Sequence, residues 1–319
     1  MVAPIGQDLD KALHLLESGE LVAIPTETVY GLAANALNSR AVAKIFEAKN
    51  RPSFDPLIVH VASMQHARKY TTEFPLQAEA LARRFWPGPL TLLLPKTTEI
   101  PDLVTAGLDR VGLRCPAHPL TISLLAHAPF PLAAPSANPF GYISPTTAQH
   151  VQDQLGDKVS YIIDGGPSRV GIESTIVGWE NNEPVIYRLG GISTEQIESV
   201  VGAVLVKPHS TSHPQAPGQL TSHYAPRKPF LLGELKSLAI ANQHKRLGIL
   251  SWKGFDSISE STQLVLSPNG DLTEAAHHLF SMMRTLDESP VEVVIAEEVP
   301  DQGLGRAIND RLRRAAAKV

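Results

Sequence analysis

The sequence predicts an α/β protein made of two units joined by a linker. Three observations carry this expectation. Apolar residues alternate between helical and strand spacing through the first two hundred positions, prolines interrupt that alternation across 207–229, and it resumes on a smaller scale to the C-terminus. The predicted limits are 1–206, a linker at 207–229, and 230–319. The length of 319 residues also fits two domains at roughly 100–200 residues each.

The elements follow in order. From Asp8 to Ser18, Leu9, Ala12, Leu13 and Leu16 share one face and Gly19 stops the chain, which predicts a helix. Leu21–Pro25 is a short apolar strand entering the loop Thr26-Glu27-Thr28. Ser39 is the expected N-cap of a helix to Lys49, with Val42, Ile45 and Phe46 inward. Leu57–Val61 is the next strand, 76–86 a helix, and Leu90–Leu94 a strand. Further strands are expected at 110–115, 131–135, 160–164, 174–179 and 184–188, giving an α/β or α+β unit with a mixed sheet. The linker holds Pro208, Pro214, Pro217, Pro226 and Pro229 with almost no apolar periodicity. Beyond it, strands at 246–252, 263–267 and 291–299 alternate with helices around 271–286 and 305–318. That pattern predicts a three-layer unit with parallel strands.

Composition narrows the function. Hydrophobic residues make up 43% and charged residues 19%, so the chain is globular rather than disordered. Net charge is −4; up to residue 205 there are 15 basic against 20 acidic residues, and after it 13 against 12. Neither half is a basic nucleic-acid module by bulk charge. The single cysteine, Cys115, excludes a disulfide framework and a cysteine zinc site within one chain. No secretory signal is visible and the apolar runs are far shorter than the roughly 18 residues a membrane helix needs, so a cytoplasmic location and no membrane contact are expected. There is no GxxxxGK(S/T) loop, no GxGxxG after a strand, no HExxH and no GxSxG elbow.

Four segments are dense in polar residues for their apolar surroundings. Pro25 to Leu32 ends a strand in hydroxyls, a carboxylate and Gly31, and a plain polar turn explains it equally well. Lys49 and Arg51 stand at a helix end before Pro52, where they either complement the helix dipole or clamp phosphate. His60 follows an apolar strand, where a lone histidine is more often structural. Arg110, Gly112 and Arg114 share one face of a strand, which requires anions or partner carboxylates. Ala133 to Thr146 is a tight loop rich in small residues and proline, with Ser136, Asn138 and Ser144 as neutral donors. A polar cluster at 171–177 and Arg188 at a strand end add to these. Together they describe five candidate cations, many hydroxyls and no obvious nucleophile, which suits an anionic substrate and catalysis by positioning and charge neutralisation.

In order and wording these segments resemble the long, two-domain form of the YrdC-like threonylcarbamoyl-AMP synthases. The matching text is PTETVYGL at 25–32, KNRPSFDPLIVHV at 49–61, PGPLTLLLP at 87–95 and RVGLRCPAHP at 110–119. It continues with APSANPFGYISPTT at 134–147, ESTIV at 173–177 and YRLGGI at 187–192. The linker motif PGQLTSHYAP at 217–226 and GLGRAINDRLRRAA at 303–316 are what the long form adds. The resemblance implies a YrdC-like open twisted mixed sheet with helices, followed by a smaller Rossmann-like α/β domain, the linker folding over the active site. It implies synthesis of L-threonylcarbamoyladenylate from L-threonine, bicarbonate or CO2 and ATP, with release of pyrophosphate, for tRNA modification. The implied threonine contacts are Thr28, His60, Arg114, Ala134 and Ser174. The implied nucleotide contacts are Lys49, Arg51, Asp55, Ser136, Asn138, Ser144 and Arg188, with Arg110 a further phosphate contact and Tyr224 closing over the nucleotide; Lys49 and Arg51 are the implied catalytic pair. Mg2+ is expected on the triphosphate with no dedicated protein cage. Downstream tRNA-modifying transferases are expected partners, with room for weak or transient RNA contact. Two other readings are weighed: a non-catalytic RNA-binding module, disfavoured by acidic charge and 6% aromatic content, and a carbamoyl transfer of the hydrogenase-maturation kind, disfavoured by the lone cysteine.

Overall fold

The computed structural model describes residues 2–207, 216–217, 223–256 and 261–317. The linker positions 208–215 and 218–222, and residue 318 of the expected last helix, lie outside the described residues.

The first unit opens with β1 (Ile5–Gly6), α1 (Leu9–Glu17), β2 (Val22–Ile24), β3 (Gly31–Asn35), α2 (Ser39–Lys49) and β4 (Ile58–His60). It continues through α3 (Met64–Ala67), α4 (Leu76–Phe85), β5 (Leu90–Pro95), α5 (Asp102–Thr105), β6 (Arg110–Arg114), α6 (Pro119–His127) and β7 (Leu132–Ala133). It ends with α7 (Ala148–Leu155), β8 (Tyr161–Ile163), β9 (Thr175–Glu180), β10 (Glu183–Arg188), α8 (Thr194–Val201) and β11 (Leu205–Val206). The strands form one mixed sheet in the order β1-β8-β2-β3-β7-β4-β6-β5-β9-β10-β11. The second unit holds β12 (Phe230–Leu232), α9 (Leu235–Ala241), β13 (Leu247–Ser251), β14 (Thr262–Val265), α10 (Leu272–Glu288), β15 (Val293–Ala296) and α11 (Gly305–Ala316). Its sheet runs β12-β15-β13-β14 with every pairing parallel, as the near-continuous apolar runs predict.

Three expectations are corrected. Asn38, not Ser39, caps α2: its side chain accepts from the Arg40 and Ala41 amides, and Ser39 is the first helical residue. Gly31 does not end a turn but begins β3, which pairs antiparallel with β2. Its first four residues, Gly31 to Ala34, are small or apolar and buried, so it carries no period-two signal. Helices α3, α5, α6, α7, α8 and α9 and strands β1, β11 and β12 have no counterpart among the sequence expectations. Among them, α6 is apolar on most of its faces and shows no helical stripe.

Register places the site. His60 on β4 lies beside Arg114 on the parallel β6, and Thr91 on β5 lies opposite Arg114. The loop after β2 and the loop after β7 meet through a bridge between Gly31 and Ser136. The two units share one core: Val29, Tyr142, Ile143 and Ile172 of the first pack with Tyr224, Leu279, Phe280 and Ile308.

Candidate active site

A partly open cavity of about 50 Å³ lies where these strand ends and loops converge. Thr26 and Thr28 enter from the loop after β2, and their hydroxyls lie 2.8 Å apart. His60 and Arg114 arrive from adjacent strands, Ala134 and Ser136 from the loop after β7, Arg51 from the segment after α2 and Arg188 from the end of β10. Pro217, His223 and Tyr224 of the linker complete the wall.

Arg114 is the centre of the polar array. Its Nη2 donates to Glu27 Oε1 at 2.7 Å and to the Thr28 hydroxyl at 2.9 Å. Glu27 Oε2 in turn accepts from the Ala117 amide. The buried Nε of Arg114 has no hydrogen-bond partner, nor has the buried Nδ1 of His60. Burial, reinforced by the Arg114 guanidinium, pushes the His60 imidazole down to about 3, so this ring is neutral and keeps an acceptor at neutral pH.

The other two guanidiniums of the cavity are held just as firmly. Arg51 donates to the Asp55 and Pro56 carbonyls and lies 2.9 Å from the Asp55 carboxylate. Burial lowers its pKa while Asp55 and Tyr224 oppose that shift. Arg188 donates to the Ser174 carbonyl and hydroxyl, and burial pushes it down to about 10. Several guanidiniums desolvated around one cavity are stressed by burial, and an anionic ligand relieves that stress.

Several expected site residues stand one layer behind the wall. Lys49 donates from its buried side-chain nitrogen to the Ser136 and Asn138 carbonyls, so it supports the loop that carries Ser136 to the cavity. Burial first, then Arg51, holds its pKa well below the usual lysine range. The Asn138 amide donates to the Pro139 and Tyr142 carbonyls, bracing the same loop. Ser144 donates to Glu173 at 2.6 Å, and Ser174 exchanges a hydrogen bond with Thr91 while anchoring Arg188. Asp55 balances Arg51.

Arg110 is not brought to the cavity. It donates to the Trp179 carbonyl and the Tyr187 hydroxyl and lines a separate surface cleft with Glu73 and Leu93. It shares a strand face with Arg114, but four residues at roughly 3.3 Å each put it some 13 Å along the strand. Sequence reasoning also missed residues that matter. Thr26, Glu173 and His223 line the cavity and Glu27 orients Arg114, yet none was singled out. Their signal lay in the polar clusters themselves, since a carboxylate buried beside arginines has to be paired.

The family model described as "Telomere recombination" matches residues 14–190, and that of the threonylcarbamoyl-AMP synthase C-terminal domain matches residues 192–317. The chain is similar to the threonylcarbamoyl-AMP synthase of Pyrococcus abyssi, at 41% identity over 96% of this chain and 93% of that protein. It is similar at 42% identity to that of Bacillus subtilis, over 96% of this chain and 92% of the other. The crystal structure of Pyrococcus abyssi Sua5 complexed with L-threonine superposes with a TM-score of 0.92 at 38% identity, covering 99% of this chain and 97% of that one.

Proposed function

This chain belongs to the threonylcarbamoyl-AMP synthase family, and we propose how its cavity joins L-threonine, bicarbonate or CO2 and ATP, with release of pyrophosphate. The observation that carries the reading is the convergence of Arg51, Arg114 and Arg188 with Thr28, His60 and Ser136 on one cavity that Tyr224 also lines.

Threonine sits at the Arg114 end. The guanidinium, already steered by Glu27 and Thr28, offers its partnerless Nε–H and remaining donors to the amino-acid carboxylate. Thr28 and the neutral His60 read the side-chain hydroxyl, and a site built to hydrogen-bond that group rejects analogues lacking it. Ala134 and Ile58 supply apolar wall for the methyl group. The threonine amine adds to CO2 with release of a proton, or to bicarbonate with loss of water, and either route gives an N-carboxylate. An oxygen of that carboxylate attacks the α-phosphorus; the new O–P bond forms as the bond to the β-phosphate oxygen breaks, and pyrophosphate leaves with the electron pair. Arg51 and Arg188 neutralise the charge that grows on the phosphates, with Lys49 adding positive potential from behind the Ser136 loop.

Mg2+ is proposed to enter with ATP. Among the described residues no group of three or more His, Cys, Asp or Glu forms a metal cage, so the triphosphate oxygens themselves would supply its ligands. The present volume is well below the roughly 300–1,000 Å³ of ordinary ligand pockets. Pro217, His223 and Tyr224 therefore withdraw for ATP to enter, then return and keep water from the carbamate and the mixed anhydride. Among the described residues no helix is long and apolar enough to cross a membrane. Action in the cytoplasm, with transfer onto tRNA by separate transferases, completes the proposal.

Pyrophosphate release by purified protein with Mg2+ and ATP tests the reading. Release that requires both L-threonine and bicarbonate, and drops sharply with L-serine, is the expected result. Release that ignores the amino acid would overturn it.

A further inference from the structure

We infer that Arg311, on the last helix of the second unit, is a positioning residue for this reaction: it fixes Glu173 and Tyr224, two walls of the cavity, so the C-terminal unit completes the active site. The inference rests on the proposed reaction for its kinetic test and on geometry for its structural one.

Arg311 is fully buried, yet it does not line the cavity. Its Nε and Nη2 both reach Glu173 Oε2, at 3.2 and 3.1 Å, and its Nη1 donates to the Leu189 carbonyl at 2.6 Å. These contacts all cross from α11 to the first unit. They leave Glu173 Oε1 to accept from Ser144 at 2.6 Å, so one carboxylate ties the nucleotide-side loop to α11. Leu189, the residue after Arg188, is held in the same grip.

Tyr224 is the second object of the clamp. The guanidinium carbons of Arg311 and Arg314 lie 5.4 and 4.9 Å from the centre of its ring, and Phe280 of α10 stacks on it at 5.3 Å. Tyr224 has φ of 65°, a left-handed backbone that a tyrosine adopts only where its surroundings impose it. Those surroundings are largely α10 and α11. An interface serving adhesion alone is built as well, or better, from apolar residues than from a buried guanidinium. Here the guanidinium's directional donors meet the carboxylate of one cavity residue, Glu173, and the carbonyl next to another, Arg188, which is what precise placement requires.

The test compares Arg311→Lys and Arg311→Met with Tyr142→Phe. The last removes a buried 2.6 Å bond to Asp287 across the same seam without touching Glu173. At a temperature where all three are folded by circular dichroism, Arg311→Lys is expected to lose about tenfold or more in kcat, while Tyr142→Phe keeps near-normal kcat. Arg311→Met combined with Glu173→Gln is expected to be no worse than the more damaged single variant, the mark of residues acting as one unit. Hydrogen exchange supplies a readout independent of turnover: the segment 223–227 is expected to exchange faster in Arg311→Met, with β5 and β6 unchanged. Wild-type kcat in Arg311→Lys, losses equal to those of Tyr142→Phe, or unaltered exchange at 223–227 would each overturn the inference. A wild-type protein without threonine-dependent pyrophosphate release refutes the proposed reaction instead, and the exchange measurement still decides the clamp.

Discussion

Lys49 shows how burial tunes a single charge. Desolvation, and then Arg51, depress its pKa, while Asp55 opposes them. Arrival of a polyphosphate reverses the balance, so ATP binding is expected to take up to about one proton from solution. Calorimetry in buffers of different ionisation enthalpy reads this directly. Lys49→Met should abolish the uptake, and an unchanged proton count in that variant would remove Lys49 from the phosphate field. Arg51→Ala should cut threonine-dependent pyrophosphate release by about 100-fold or more while leaving the fold intact, because the loss falls on charge neutralisation in the transition state. His60 gives a stability signature. Its folded pKa of about 3 lies below the unfolded value of 6.5, so the chain binds more protons when unfolded between those limits. The contribution is fully present above pH 6.5 and is lost as pH falls towards 3. Melting temperature should therefore decline on acidification across that window, and less steeply in His60→Asn. An identical slope in both proteins would show that other groups, such as the buried His223, govern it.

At the scale of elements, α2 connects the cap at Asn38 to the cations at its far end. Asn38→Ala removes the side-chain oxygen that accepts from two helix amides and is expected to cost about 1 kcal/mol with activity nearly unchanged, as chemical denaturation and kinetics together would show. A larger loss in kcat than in stability would mean that the helix start steers Lys49 and Arg51. The elements legible in the sequence were those with one dominant period: α1, α2, α4, α10, α11 and most central strands. Strand β3 escaped because Gly31-Leu-Ala-Ala-Asn35 lies almost wholly inside the protein and carries no alternation. Helix α6 escaped for the equivalent reason, having apolar residues on most of its faces.

For the molecule as a whole, the seam between units is as specific as either core. Gly171 has φ of 81°, and a Cβ there would stand 2.4 Å from the Ala276 carbonyl oxygen on α10. Gly171→Ala combines backbone strain with a clash against another element's backbone, so it should destabilise by roughly 2 kcal/mol or more. Calorimetry would detect it as a lowered transition, split in two if the units come apart. A melting curve indistinguishable from wild type would mean that the seam yields freely. Arg284 reinforces the same contact, fully buried and donating to the Ile143 and Ser144 carbonyls from α10.

By itself the sequence determined the α/β class, the two sheets and the segments from which the site is built, because periodicity, capping and turn chemistry are local and the ordered motifs are individually worded. Tertiary structure decided which of those polar residues face the cavity. Arg110 and Arg114 share a strand face, yet only Arg114 reaches the site, since distance along the strand and the flanking loops are set by packing. Lys49 and Ser174 carry the right chemistry but sit behind the wall, bonded to the groups that form it. The partnership of Glu173 with Arg311, 138 residues apart, has no local signature at all. It exists because desolvating a carboxylate and a guanidinium together is tolerable only when the fold brings them into contact.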